Sequence, residues 1–110
     1  MSEKLDYEIS SGNVFADLGL PNPEEALAKA QIAHQIHTII EEKGLTQAQA
    51  GKILGVPQSK VSNVVLGNLS GFSMERLLRF LNALDHEVEI IVRPKESSGE
   101  SAGINVVAID

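Results

Sequence analysis

The chain has 110 residues, 43% of them hydrophobic, which suffices for one domain around one modest core. Aromatics make up 4% and there is neither Trp nor Cys, so the core must be aliphatic, and disulfides and thiolate metal sites are excluded. The formal net charge of −6 speaks at first against a polyanionic partner.

The N-terminus, MSEKLDYEIS, has no basic region followed by an apolar one, so it does not read as a secretory signal. No apolar run approaches a membrane-spanning length. The expectation is a cytoplasmic protein with no membrane partner.

Residues 1–22 read as an irregular N-terminal extension, punctuated by Gly12, Gly19 and Pro21. Val14, Phe15, Leu18 and Leu20 are its apolar anchors, expected to pack it onto the domain. Asn22-Pro23-Glu24-Glu25 is a helix start, with Asn at the cap, Pro in first position and acids in the first turn. That helix is predicted to run to about Glu42, with Ile32, Ala33, Ile36, Ile39 and Ile40 on one side. Gly44 then supplies a left-handed cap.

Thr46 opens a second, short helix and fits a capping box with Gln49. Ala50, Ile53 and Leu54 are its expected inner face, and Gly55 its stop. Val56-Pro57 forms a turn, and a third short helix follows from about Gln58 to Leu66, ended by Gly67. Asn68 to Phe72 is a loop. Ser73 caps a fourth helix, Met74 to about Leu84, with Leu77, Leu78, Leu81 and Leu84 facing in. Glu87 to Arg93 alternates apolar and polar residues, apart from Ile91, and reads as a strand closed by Pro94. As a strand it serves either as a cover for the core or as an edge that pairs with a partner. Residues 95–110 read as a polar linker and tail, in which Ile104 to Ile109 is either a second strand or a loose end. The predicted fold is mainly α: a bundle of four to five helices with a C-terminal β-strand, residues 23–94 forming the domain.

Charge is distributed unevenly along this order. Residues 1–43 carry net −5, residues 44–80 net +3 and residues 81–110 net −4. No acid occurs from Leu45 to Met74. The middle is an electropositive island, and local charge decides what docks there.

The two short helices joined through Gly55-Val56-Pro57 sit on that island. A residue without Cβ ends the first of them, and an apolar residue pins the turn. In the next helix Val61 and Val64 lie three apart and face in, while Gln58, Ser59, Lys60, Ser62 and Asn63 remain for the other side. Amides can bridge an adenine, and hydroxyls and Lys can reach bases or phosphates in the major groove. A helix serving only solubility would more often use Glu and Lys. Gln47 and Gln58 each open a helix, eleven residues apart. Such a pair can hydrogen-bond together, one clamping phosphate while the other reaches a base. The pattern predicts a helix-turn-helix, with Thr46, Gln47, Lys52, Gln58, Ser59, Lys60, Ser62, Asn63 and Asn68 as candidate DNA-binding residues.

Gly44-Leu45-Thr46-Gln47, Gly55-Val56-Pro57-Gln58-Ser59-Lys60-Val61-Ser62 and Gly67 resemble the XRE, or phage-repressor-like, helix-turn-helix family. Residues 13–20, Pro23-Glu24-Glu25 and Ser70-Gly71-Phe72-Ser73 are further similar to its HigA-type antitoxins. The resemblance covers roughly residues 12–93. It implies a lambda-repressor-like domain and a dimeric autorepressor that also binds and silences a toxin that cleaves messenger RNA. One departure is that the places after the Val-Ser pair and after the Gly, often Arg in such proteins, hold Asn63 and Asn68. Phosphate affinity is then lower, or base preference shifts toward adenine.

Catalytic readings find little support. His34 and His37 sit three apart on the first helix without a third ligand nearby, and His86 reads as a turn residue. There is no motif context for a Ser-His-Asp grouping and no glycine-rich phosphate loop. No enzymatic activity, metal or cofactor is expected. Two compatible functions remain: a repressor acting as a homodimer on a double-stranded DNA operator, and an inhibitor whose acidic outer regions bind a basic toxin. A repressor without a toxin partner is the alternative.

Overall fold

The computed structural model describes residues 23–95 and 103–109. The expected packing of Val14, Phe15, Leu18 and Leu20, and most of the expected linker, fall outside them. Within them the chain forms four helices: α1 (Pro23–Glu42), α2 (Gln47–Leu54), α3 (Gln58–Leu66) and α4 (Met74–Ala83). The long α1 packs against α3 and α4, and the short α2 lies across α3 and α4.

The core is aliphatic, as the composition requires, with two aromatic exceptions. Ile32, Ala33, Ile36, Ile39 and Ile40 of α1 are all buried, and they meet Ala50, Val61, Val64, Leu77 and Leu84. Phe72 and Phe80 join this cluster edge-to-face, with ring centroids 5.9 Å apart and planes at 71°. The loop before α4 is thus anchored in the core by Phe72. Leu78 and Leu81 are half-buried at the cluster's margin.

Ile53 departs from expectation, at 45% exposed. The buried arc of α2 is set by Ala50 and Gly51, with Leu54 beside them. At 3.6 residues per turn, Ile53 lies roughly 110° from the middle of that arc and turns to solvent.

All four helices end in the same way. The residue after the last turn takes a left-handed conformation, and the next amide reaches back five residues. Gly44, Gly55 and Gly67 fill that place with φ of 66°, 75° and 83°, and Asp85 fills it after α4 with φ of 66°. The returning bonds are Leu45 N–H to Ile40 O at 3.1 Å, Val56 N–H to Gly51 O at 2.9 Å, Asn68 N–H to Asn63 O at 2.8 Å and His86 N–H to Leu81 O at 2.9 Å. They satisfy carbonyls that a helix end leaves open. After α4 the Asn82 side chain also donates to the His86 carbonyl at 3.0 Å. The direction in which the chain leaves the bundle is therefore held at two points.

Among the described residues no strand forms. Residues 87–95 run out from α4 without a ladder, because an extended segment needs a neighbour to take its backbone hydrogen bonds. Ile90, Ile91 and Val92 are 78%, 73% and 90% exposed. Residues 103–109 have no regular structure; Val106 rests on the core, whereas Ile104, Val107 and Ile109 are exposed.

Candidate nucleic-acid interface

The interface is built on two helix starts and one helix face. Thr46 caps α2: its Oγ1 accepts from Gln49 N–H at 3.1 Å, and Gln49 Oε1 accepts from Thr46 N–H at 2.8 Å. This reciprocal box uses the amides of Thr46 and Gln49. Those of Gln47 and Ala48 stay at the open end of the helix. Pro57 begins α3 in an extended conformation with no side-chain cap, so the Gln58 and Ser59 amides are likewise open. Neither helix has an acid in its first turn. Each such start favours an anion.

The turn holds α2 and α3 at a fixed distance. Gly55 and Val56 both donate to Gly51 O, at 2.8 and 2.9 Å. A Cβ on Gly51 would stand 2.7 Å from the Val56 carbonyl oxygen. Gly51 is thus required by close approach, whereas Gly55, with open space around its Cβ position, is required by its positive φ.

On α3, Val61 and Val64 are buried as expected. Gln58 and Ser59 are exposed, and Lys60, Ser62 and Asn63 are half-buried. Asn68 is exposed just beyond the Gly67 cap. On α2, Lys52 is exposed and Gln47 half-buried. Thr46 is exposed at the cap. The expected residues thus all lie on α2, on α3 or beside their caps, and each is at least partly exposed. No hydrogen bond joins Gln47 to Gln58 among the described residues, and the Gln engaged at the start of α2 is Gln49, through the cap. The place of Gln47 and Gln58 in the site therefore rests on their positions at the two helix starts.

Two residues absent from that set belong beside it. Arg76, in the first turn of α4, stacks its guanidinium on Phe72 and Phe80, 5.2 and 5.7 Å from the ring centroids. Lys60 Nζ lies 5.7 Å from the centroid of the same Phe72 ring. Two cations from different helices are thereby held at one aromatic residue next to α3. The spacing Phe72, Arg76, Phe80 is legible in sequence as an i, i+4, i+8 pattern. Leu66 is 70% exposed, seven residues after Ser59 and so on its stripe of the helix.

Arg79, by contrast, pairs with Glu75 on its own helix, Nη2 to Oε2 at 3.1 Å. Lys52, Lys60 and Arg76 are left as the uncompensated cations of residues 44–80, among the described residues. His37 faces Glu41 at 3.1 Å on α1. No group of three or more His, Asp or Glu among the described residues is arranged to hold a metal ion. No helix among them is long and apolar enough to cross a membrane.

Two helices set across a tight turn, the second with a polar outer face, define a helix-turn-helix protein. A family model described as a helix-turn-helix domain matches residues 14–93, and the chain belongs to that family. It is also similar to a solved structure described as "Putative XRE Family Transcriptional Regulator", with 44% sequence identity and a TM-score of 0.76 over 81% of this chain and 100% of that one. No curated relative matches the sequence.

Proposed function

We propose that the protein is a sequence-specific DNA-binding transcriptional regulator of the XRE type, with α3 as its recognition helix. The observation that carries this reading is the acid-free α2–α3 unit. Its two helix starts are open, and α3 presents a helix face of Gln58, Ser59, Ser62 and Asn63, flanked by Lys60. The similar solved structure, described as a transcriptional regulator, supports it. Gln58, Ser59, Ser62 and Asn63 meet base edges, while Thr46, Gln47, Lys52, Lys60 and Asn68 meet the backbone around them. Residues 23–94 form the DNA-binding unit. One helix covers only a few base pairs, so the protein acts as a homodimer on two half-sites about 34 Å apart.

The test compares Asn63→Ala with the unaltered protein on DNA from its own promoter and on random DNA. A lost bidentate base contact lowers affinity for the cognate site by about 1–3 kcal/mol and leaves random DNA nearly unaffected. Equal losses on both remove Asn63 from base readout, and absence of any preference for the promoter removes the regulator reading.

The sequence resemblance to HigA-type antitoxins supports a second role, in which the acidic regions outside 44–80 neutralise an mRNA-cleaving toxin. Co-purification with the product of an adjacent small basic reading frame, and rescue of growth from it, test that role. A repressor without a toxin binds its promoter and rescues nothing.

A further inference from the structure

The C-terminal segment that leaves α4 carries a pattern the helix-turn-helix does not explain. Its order is Glu87, Val88, Glu89, Ile90, Ile91, Val92, Arg93, Pro94, Lys95. Read outward from Ile91, acids on one side match bases on the other. Glu89 stands two before the centre and Arg93 two after; Glu87 stands four before and Lys95 four after. Ile90 and Val92 flank the centre. The segment is thus self-complementary in charge when laid antiparallel on its own copy.

We infer that residues 87–95 pair with the same residues of a second copy as an antiparallel two-stranded ladder centred on Ile91. In this register Ile91 faces Ile91, Ile90 faces Val92, Glu89 faces Arg93 and Glu87 faces Lys95. Four opposite-charge pairs form across the two-fold axis. A slip of two residues in either direction leaves only two such pairs within the segment and sets Ile91 against a charged residue. Side-chain alternation gives the ladder two faces. Glu87, Glu89, Ile91, Arg93 and Lys95 share one; Val88, Ile90 and Val92 share the other. Val88 is the half-buried member, so the apolar face is the one turned toward the bundles.

Pro94 fixes the hydrogen-bond phase. Having no N–H, it must oppose Val88 as a non-hydrogen-bonded pair. Alternation then makes Ile91–Ile91 a hydrogen-bonded pair, with Cα atoms about 5.5 Å apart. The exit from α4 is already set, through left-handed Asp85 and the Asn82 bond to the His86 carbonyl, and the ladder begins at the next residue. The three consecutive exposed aliphatics, Ile90, Ile91 and Val92, are what the second copy covers.

This deepens the homodimer proposed above and rests on it, but its test separates the two. The full chain is studied by sedimentation without DNA, with circular dichroism confirming that each variant is folded. Glu89→Arg or Arg93→Glu alone turns two attractive pairs into repulsive ones and weakens self-association about tenfold. An equimolar mixture of the two variants restores every pair and forms a heterodimer as tight as the unaltered dimer. The chain has no cysteine, so single cysteines placed in turn at 87–95 report the register on mild oxidation. Cross-linking peaks at 91, where the separation falls within the roughly 4.4–6.8 Å that a disulfide spans. A strictly monomeric chain at tens of micromolar overturns both the ladder and the homodimer. A dimer with unchanged charge-swap affinity, or with cross-linking that peaks elsewhere, overturns the ladder and leaves the homodimer standing. A dimer in which a cysteine at 90–92 of one copy cross-links to one placed at 104–109 of the other, in an equimolar mixture of two single-cysteine variants, makes the tail the occupant and also overturns it.

Discussion

Gly51→Ala and Gly55→Ala separate two reasons for a glycine and test how rigidly α2 and α3 are joined. At Gly55 an added Cβ meets nothing within 4 Å, but φ is +75°. The cost is conformational, about 1–2 kcal/mol for a residue with Cβ in the left-handed region. At Gly51 the backbone is helical, so Ala contributes about 1 kcal/mol of helix propensity. Against this, its Cβ would lie 2.7 Å from the Val56 carbonyl oxygen. That oxygen is backbone, in a turn whose Gly55 and Val56 amides are both bonded to Gly51 O. It cannot rotate away as a side-chain end would, so the upper end of the overpacking range, about 3 kcal/mol, applies. The net loss is about 2 kcal/mol, or a fall in Tm of about 8–16 °C for a domain of this size. Thermal unfolding followed by circular dichroism measures both variants. DNA titration at a temperature where both remain folded measures the consequence. Gly51→Ala should also lose affinity for promoter DNA because it shifts α3 relative to α2, while Gly55→Ala should lose stability with affinity largely kept. A Gly51→Ala protein as stable as the original, with unchanged DNA affinity, would show that the turn yields and that the spacing of the two helices is not set there.

Other substitutions report on the remaining parts. Lys60→Ala and Arg76→Ala should each reduce the slope of log affinity against log salt by about one unit and weaken all sequences alike; an unchanged slope for Arg76→Ala would place it off the phosphate backbone. Asp85→Gly relieves a left-handed residue with a Cβ and should raise stability by up to about 1 kcal/mol, read as a higher Tm. Thr46→Ala removes the side-chain cap of α2 and should cost about 1 kcal/mol in urea unfolding, since the Gln49 amide loses its Oγ1 acceptor while the backbone N–H at 46 can still donate to Gln49 Oε1.

The helices were legible because each boundary carries its own chemistry. Asn22-Pro23, Thr46 with Gln49 and Ser73 mark starts, and Gly44, Gly55 and Gly67 mark ends. The fourth end, expected at about Leu84, lies within a residue of that place, although Asp85 rather than a glycine takes the left-handed position after it. The apolar face of α2 was misread at Ile53, since in an eight-residue helix hydrophobicity is a weaker guide than close approach, and Gly51 supplies the close approach. Alternation over Glu87–Arg93 predicts a strand, but no strand forms among the described residues, because alternation marks only a pattern of side chains and a strand is defined by the neighbour that takes its backbone hydrogen bonds. The role of Arg76 was missed for a related reason. Its charge was plain, but its position next to Lys60 depends on Phe72 folding back into the core between them.

A chain of net −6 that meets DNA has to separate its charges. The acids of α1 stand in its first turn and at its end, as Glu24, Glu25, Glu41 and Glu42, while α2 and α3 carry none. The Debye length is about 10 Å at 0.1 M salt, so acids farther than that from the helix starts repel DNA only weakly. The same screening leaves little long-range attraction, and only Lys52, Lys60 and Arg76 are free of a local acid among the described residues of the 44–80 segment. Few phosphate contacts mean modest non-specific affinity. In the function proposed, discrimination comes from the hydroxyl and amide groups of α3, and strength from using two copies at once. Linking two half-site contacts can raise overall affinity by about 10²–10⁴ without a new contact, provided the linkage holds the right span. A loosely tethered pair would forfeit that gain. A ladder in one register, leaving α4 through the fixed turn at Asp85 and His86, is the kind of linkage that would retain it.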